Sequence, residues 1–433
     1  MSGKMHKRNR RWMVLLGTTL AAGWSTVSLA GVSQIPLQNV TNLGTAYAGT
    51  GSLAEDASTG FWNSAGLTHI KSKEQIVAGG ILSVPSTMLH VTSATSNTGT
   101  SLNPGNARPS NSVLVPSTHY SKKINDRWAF GLSAVTTFGS KTNYKEDSVA
   151  RYIATRSEMM TINAGPSLAY RFDQGFSLGA GVDALYVSTV SASNISGSPS
   201  LTADGFQKSI VSRTGLGYHV GFLKELSEAT RFGAQYRSKI HVTAKGDSTS
   251  KATSTAATTN QRTWGNIDFP EYVTLSAYHD VNAQWAVVSD LQLTHWSKLK
   301  NMVIRFEDKT ALMITQNYKN NYRLAVGGIY KYDQKWRFKM GGSFEKRGTD
   351  TIGRSIFIPD QDQIVPAVGV QYRLSKRMAL DVAYAHVFYK KQSINQSAPV
   401  GASPAGTTAS AATVKGDMRH QIKCMGAQLT WDL

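Results

Sequence analysis

Cysteine is nearly missing from this 433-residue chain, where Cys424 stands alone. One thiol closes no internal disulfide and offers no thiolate set for a metal. Acids are scarce beside bases, 27 Asp and Glu against 46 Lys and Arg, for a formal charge of +19. Such a balance is one footprint of nucleic-acid binding. Here the bases are scattered among apolar and aromatic positions and form no stripe, so no nucleic-acid partner is expected. Long apolar runs are lacking as well. A membrane-crossing helix needs about 20 apolar residues in succession, and the only candidate, 12–22, is too short. Helical membrane spans are thereby excluded. Amphipathic helices are not evident in the body of the chain, nor are the H-E-x-x-H and nucleophile-elbow motifs of metalloproteases and α/β-hydrolases. The sequence therefore offers no catalytic residue, no cofactor and no resident metal. Asp360 and Asp362 have a two-residue spacing without further ligands, and they read as turn or lumen hydrogen-bonding groups.

What is present begins with an export signal. Lys4, Lys7, Arg8, Arg10 and Arg11 precede the apolar run, and Ser28-Leu29-Ala30 follows it. A basic start, a short apolar middle and a small-x-small end make a secretory signal peptide over 1–30. Cleavage after Ala30 removes five bases and leaves a mature chain of charge +14. The remaining bases read as lumen, loop and periplasmic-turn charges, some facing lipopolysaccharide phosphates.

Alternation is the dominant pattern. Trp128, Phe130, Leu132 and Ala134 alternate with Ala129, Gly131, Ser133 and Val135. Phe176, Leu178, Ala180, Val182, Ala184 and Tyr186 alternate with Ser177, Gly179, Gly181 and Asp183. The pattern returns at Leu216, Tyr218, Val220 and Phe222, at Phe232, Ala234 and Tyr236, at Trp336, Phe338 and Met340, and at Leu380, Val382 and Tyr384. A period of two marks strands with one apolar face. Short turns such as 173–175 and 333–334 separate them at one end, and polar tracts near 93–111, 188–209, 245–262 and 392–414 at the other. That asymmetry belongs to an outer-membrane barrel, with short periplasmic turns and long external loops. Strand starts fall near 75, 112, 128, 158, 175, 211, 230, 269, 284, 320, 335, 363, 378 and 415, fourteen in all. An even count returns both ends to the periplasm. The mean hydropathy of −0.25 suits a wall in which lipid-facing and lumen-facing residues alternate. At the end of the chain Leu433, Trp431, Leu429, Ala427 and Met425 share one face, opposite Asp432, Thr430 and Gln428. Such a strand resembles the signal read by the barrel assembly machinery, with Leu433 in place of the usual Phe. The expected fold is all-β, a monomeric 14-stranded antiparallel transmembrane barrel.

Ahead of the first strand lies 42–68, crowded with small residues and carrying Glu55 and Asp56. It lacks the Lys-Ser/Thr that a phosphate-binding loop requires. Taken alone it is a compact, irregular subdomain packed inside or against a larger body. Gly44, Ala46, Ala48, Gly49, Gly51, Ala54, Asp56, Ala57, Ser58, Thr59, Asn63, Ala65 and Gly66 fall in the order G-x-A-x-A-G-x-G-x-A-x-D-A-S-T-x-x-x-N-P-A-G. This resembles the hatch of the FadL/TodX-type outer-membrane transporters of long-chain fatty acids and other hydrophobic compounds. Further matches run in family order: 128–132 with Phe138-Gly139, Arg151-Tyr152, 166–171, 177–182, Thr294-His295-Trp296-Ser297, Tyr322-Arg323 and 354–362. Ser64 stands where the family usually has proline, which would fix φ and remove a donor, so the turn here is expected to be looser. Glu345-Lys346-Arg347-Gly348 departs from the family's D-x-S-P.

The resemblance implies a hatch over 31–72, a barrel over 73–433, and uptake of long-chain fatty acids by hatch movement in a Gram-negative outer membrane. The alternatives are an aromatic-hydrocarbon channel, a general diffusion porin, and a surface receptor or adhesin. A porin has no use for a hatch ahead of its first strand. A lipase would need a Ser-His pair converging on the wall. Asn63, Ser64, Ala65, Gly66 and Asp56 are the expected gating residues. Asn63 both donates and accepts, and Gly66 is expected to supply a positive φ. Arg151, Arg156, Arg323 and Arg354 are candidates for a carboxylate head group, since guanidinium pairs with carboxylate in bidentate fashion. Singly, each reads first as a lumen salt bridge.

Overall fold

The computed structural model describes residues 33–96, 98–109, 112–153, 155–195, 204–298, 301–308, 311–315, 318–347, 355–357, 361–398 and 412–433. The signal segment 1–30, Arg354 and Asp360 lie outside the described residues. The chain forms a closed 14-stranded antiparallel barrel. In order, its staves are Glu74–Thr95, Val113–Lys123, Trp128–Val135 with Phe138–Asn143, Arg156–Arg171, Phe176–Ile195, Gly205–Glu225, and Thr230–Arg237 with Ile240–Lys251. Then come Thr259–Phe269 with Tyr272–Asp280, Trp285–Thr294 with Asn301–Phe306, Ala311–Thr315 with Asn321–Lys331, Trp336–Lys346, Gln363–Arg373, Met378–Tyr389 with Gln392–Ala398, and Ala412–Asp432. Each stave pairs with the next, and the seam closes where Glu74–Thr95 pairs with Ala412–Asp432, from Gln75↔Asp432 to Thr95↔Thr413.

Alternation produces this wall directly. Leu132, Leu168, Leu178, Val182, Leu216 and Val326 point outward and are exposed, as are Met425 and Trp431 on the last stave. Their neighbours Ser133, Ser167, Ser177, Asp183 and Gln428 are buried inside. An apolar outer band satisfies lipid, and the closed ladder leaves no unpaired edge in it.

Several expectations need correction. The tracts 188–209 and 245–262 are largely strand, because Ser188 pairs with Ser212 and Ile195 with Gly205, and Asp247 with Arg262 and Ser250 with Thr259, in continuing ladders. The stave expected to begin near 269 accordingly begins at Thr259 and is only interrupted at Pro270-Glu271. Beyond the lipid band both faces of a strand meet polar surroundings, so hydropathy there carries no period of two.

The N-terminal segment fills the lumen. Ser33–Gln34 pairs with Phe138-Gly139 of the wall. Two one-turn helices, Val40–Leu43 and Thr59–Trp62, and the 3-10 helix Ser64–His69 follow. Every residue from 37 to 70 is buried except Ala54, Glu55 and His69. Backbone meets backbone where wall glycines face this plug: a Cβ on Gly179 would lie 2.5 Å from the Ala65 nitrogen. Left-handed backbone occurs at Ala46, Tyr47, Gly49 and Ala54. Gly66 is not among them, which corrects the expectation of a positive φ there. Its glycine is needed for space instead, since a Cβ would strike the Thr59 hydroxyl and come within 3.1 Å of Ala54 Cβ.

Candidate functional site

Asn63 breaks the run between the two last helical turns of the plug, with extended backbone at φ −158°. Its Nδ2 donates to the Gly51 carbonyl at 2.6 Å and to the Phe222 carbonyl of the wall at 2.9 Å. Its Oδ1 accepts from the Ala65 N–H at 3.2 Å. One side chain therefore ties two plug segments to stave Gly205–Glu225. Asp56 performs a similar task on the other side. It accepts from the Thr41 hydroxyl at 2.6 Å, from the Ser58 N–H at 2.9 Å and from Gln428 Nε2 at 3.1 Å. Gln428 Oε1 in turn accepts from the Val40 N–H at 2.8 Å.

Ser64 heads the 3-10 helix, and its hydroxyl is buried without a partner. Proline is suited to a first helical position, and the extended backbone of Asn63 is what proline demands of its predecessor. Ser64→Pro is thus expected to raise the thermal unfolding midpoint, by an amount equivalent to about 1 kcal/mol. A lower midpoint in a melting curve would mean that the hydroxyl is needed where it stands.

Around the plug, inward-facing charged side chains of the wall hold its carbonyls and amides. Asp290 accepts from the N–H groups of Gly49 at 2.8 Å and Thr50 at 3.1 Å. Arg323 donates to the carbonyls of Ala46 and Tyr47 at 3.4 and 3.3 Å, the two consecutive left-handed residues. Arg237 donates to the Phe61 carbonyl at 2.7 Å and its guanidinium covers the Phe61 ring at 4.2 Å. Arg237 also pairs with Asp183, which accepts from Asn163 at 3.1 Å and contacts His219 Nδ1 at 3.0 Å. His219 Nε2 lies 2.9 Å from the Ser167 hydroxyl, which is also 3.2 Å from the Gly60 carbonyl.

The order Ser167–His219–Asp183 is that of a serine-hydrolase triad. Its hydroxyl, however, is packed under a carbonyl of the plug, and neither described cavity borders it. It anchors. None of Asp183, His219, Arg237 and Asp290 was singled out as a site residue from sequence. The available signal was a titratable residue at a lumen-facing position inside an alternating strand, as Asp183 is between Val182 and Ala184.

The arginine candidates do not converge. Arg323 is buried on the plug, whereas Arg151 and Arg156 lie toward the external ends of the wall. Arg151 pairs with Asp204 at 3.3 Å and Arg156 with Glu158 at 2.6 Å. Asp362, just ahead of stave Gln363–Arg373, holds the end of the preceding stave, pairing with Lys346 at 2.7 Å. Among the described residues no cluster of His, Cys, Asp and Glu is fit to hold a metal ion.

Above the plug the lumen turns apolar. Phe138, Leu185, Val211, Ile240, Phe269 and Trp296 belong to one buried cluster, with the Phe138 and Phe269 ring centres 4.7 Å apart. Three staves are interrupted at this level, at Thr136-Thr137, Ser238-Lys239 and Pro270-Glu271. Residues from all three interruptions line one small cavity, together with Phe61 and Arg237. Polar anchors thus lie around the plug and a packed apolar cluster above it.

Residues 21–432 match the family described as outer membrane protein transport protein (OMPP1/FadL/TodX). The long-chain fatty acid transport protein of Escherichia coli (strain K12) is 27% identical over 394 residues, 82% of this chain and 87% of that protein. Outer membrane protein P1 of Haemophilus influenzae is 25% identical, covering 91% of this chain and 93% of its own. The crystal structure of a Pseudomonas aeruginosa FadL homologue superposes with a TM-score of 0.83 at 20% identity, over 93% of this chain and all (100%) of that one. The Pseudomonas putida toluene transporter TodX gives 0.66 at 16% identity, over 86% and 92%. With the barrel, its filled lumen and this match over nearly the whole length, the chain belongs to the OMPP1/FadL/TodX family of outer-membrane transport proteins.

Proposed function

We propose that the chain takes up long-chain fatty acids through the outer membrane, with displacement of the plug opening the route. The observation that carries this reading is the buried apolar cluster of the wall next to a plug that polar side chains tie in place. Each buried methylene of a tail contributes about 0.8 kcal/mol, so a tail seated among Phe138, Phe269 and Trp296 is favoured in proportion to its length. Hydrogen bonds from side chains to plug carbonyls are individually modest, about 1 kcal/mol each, and can be exchanged stepwise. Names of the relatives divide between fatty acids and toluene. The more similar sequences are fatty acid transporters, which favours the amphiphile.

In this reading Asn63 pins the seated plug, and Arg151 and Arg156, at the external end, meet the carboxylate first. Ser167, His219 and Asp183 are anchors and the protein is not an enzyme. The barrel works as a monomer, is inserted by the barrel assembly machinery through the strand ending at Leu433, and sits among lipopolysaccharide.

Uptake of labelled oleate by cells provides the test. Asn63→Ala, at matched outer-membrane levels, is expected to fold normally and to change the uptake rate several-fold, since three hydrogen bonds are lost. Unchanged uptake would remove Asn63 from gating. A wild-type protein that supports no oleate uptake would overturn the transport reading itself.

A further inference from the structure

The outer face of the seam changes character partway along the last stave. Its outward residues run Trp431, Leu429, Ala427 and Met425, and then Lys423, Gln421, Arg419, Asp417 and Lys415. The inward residues between them, among them Gln428, Cys424, His420 and Met418, are buried. A period of two therefore places Lys423, Arg419 and Lys415 on the outside of the barrel, and all three are exposed. A strand rises about 3.3 Å per residue, and the staves of such barrels tilt by about 40°. Lys423 then lies about 20 Å beyond the level of Trp431, and Arg419 about 30 Å beyond it. The apolar band between the two aromatic girdles of such a barrel is about 25 Å tall. Lys423 and Arg419 straddle its external edge.

Register brings the neighbouring staves to the same levels. Met425 stands between Leu82 and Tyr384, Lys423 between Val84 and His386, and Gln421 between Ser86 and Phe388. The His386 and Phe388 rings stack with centres 4.0 Å apart, and Lys390 is exposed just past them on the same stave. Beyond Met425 the only acid on the outer face of these three staves, among the described residues, is Asp417. It is already held by Lys391 at 2.9 Å and by the Ser393 hydroxyl at 3.1 Å. The side chains of Lys423, Arg419 and Lys415 have no hydrogen-bonding or ionic partner among the described residues. Long basic side chains at such an edge lay their stems on apolar surface and send the charge toward the head groups. The wall thus presents a positive field, with nothing of its own to neutralise it, at the depth of the head groups.

We propose that Lys423, Arg419 and Lys390 hold a phosphate of lipid A, the phosphorylated glycolipid of the outer leaflet, against the outside of the seam. A phosphate carries more charge than a carboxylate and has three oxygens to share among several cations. Directly below the cations lie Met425, Leu82 and Tyr384, all exposed and turned to the lipid. One amphiphile thus meets matching surfaces with its phosphate and with its acyl chains. Lys415, about 10 Å further out, faces the acidic sugars attached to the same lipid. The proposal rests on the reading that the barrel sits among lipopolysaccharide, and it is independent of what the lumen carries.

Binding of fluorescent lipid A to the purified protein in micelles, compared with lipid A stripped of its phosphates, provides the test. The phosphorylated form is expected to bind at least about ten-fold more tightly, since hydrogen bonds to a charged group are at stake. Arg419→Gln combined with Lys423→Gln should remove that advantage and leave the melting midpoint without glycolipid unchanged. Lys335→Gln, in an exposed periplasmic turn, should bind like the wild type. Equal affinity for the two forms of lipid A, or for wild type and the double variant, would overturn the site. Displacement of lipid A by equimolar oleate would give the cations to a fatty acid head group and overturn it equally. In cells, extraction from outer membranes should recover less glycolipid with the double variant than with the wild type. Equal recovery would keep the barrel among lipopolysaccharide while refuting this site. No glycolipid with either protein would overturn that placement, and the proposal with it.

Discussion

Asp183→Ala is expected to destabilise the protein by about 3–5 kcal/mol, the range for breaking a buried ion pair by removing one partner. Asp183 is 3% exposed and is the only acid in contact with both Arg237 and His219 among the described residues. Its removal leaves the Arg237 guanidinium uncompensated, and takes the acceptor from Asn163 and from His219 Nδ1. Because Arg237 and Ser167 hold the consecutive carbonyls of Phe61 and Gly60, the loss passes to the plug. Denaturant titration in micelles, together with hydrogen exchange of the plug peptides, measures both consequences. Exchange is expected to rise in 59–66 before the wall unfolds. Asp183→Asn keeps the shape and separates charge from hydrogen bonding. An alanine variant within about 1 kcal/mol of wild type would show that Arg237 finds another anion, and would dismiss Asp183 as the hub.

The second large effect is steric. Gly221→Val is expected to leave the barrel intact and to unseat the plug. Valine suits a strand, so the ladder with Gln235 and Gly179 has no objection from the backbone. A side chain there, however, meets Asn63 Oδ1 and comes within 3.1 Å of the Ala65 and Ser64 nitrogens. The plug backbone must move or lose the Asn63 bridge. Gly342→Val is the natural control, since nothing lies within 4 Å of a Cβ at that position. Small-ion conductance in planar bilayers should rise at least ten-fold for Gly221→Val and remain at the wild-type level for Gly342→Val. Equal conductance in the two variants would mean that the plug adapts without opening.

The fold was legible because a barrel wall has two unlike solvents, and each strand must report both. Starts expected near 75, 128, 230, 363 and 378 compare with observed starts at Glu74, Trp128, Thr230, Gln363 and Met378. Where the wall leaves lipid, as in Ile240–Lys251, the report falls silent and strand reads as loop. The site was less legible for a different reason. Asn63 and Asp56 could be picked out because they are local to a dense motif, although their wall partners Phe222 and Gln428 could not. Asp183, His219 and Arg237 come together only through the register of neighbouring staves, which pairs Gly181 with His219 and His219 with Arg237. Period two specifies a face, not a register. Arg323 illustrates the limit: its residue type was visible in the sequence, whereas its contacts with the carbonyls of Ala46 and Tyr47 were not.

One residue of the seam has a bearing on how the molecule is made. Gln428 lies on the last stave to leave the ribosome, and that stave completes the ring by pairing with the first. The same side chain grips Val40, Thr41 and Asp56, near the start of the described residues. Closure of the ring and capture of the lumen's contents are therefore joined in a single side chain. The seam of the wall and the seat of the plug thereby share one side chain, so a change at Gln428 reaches both.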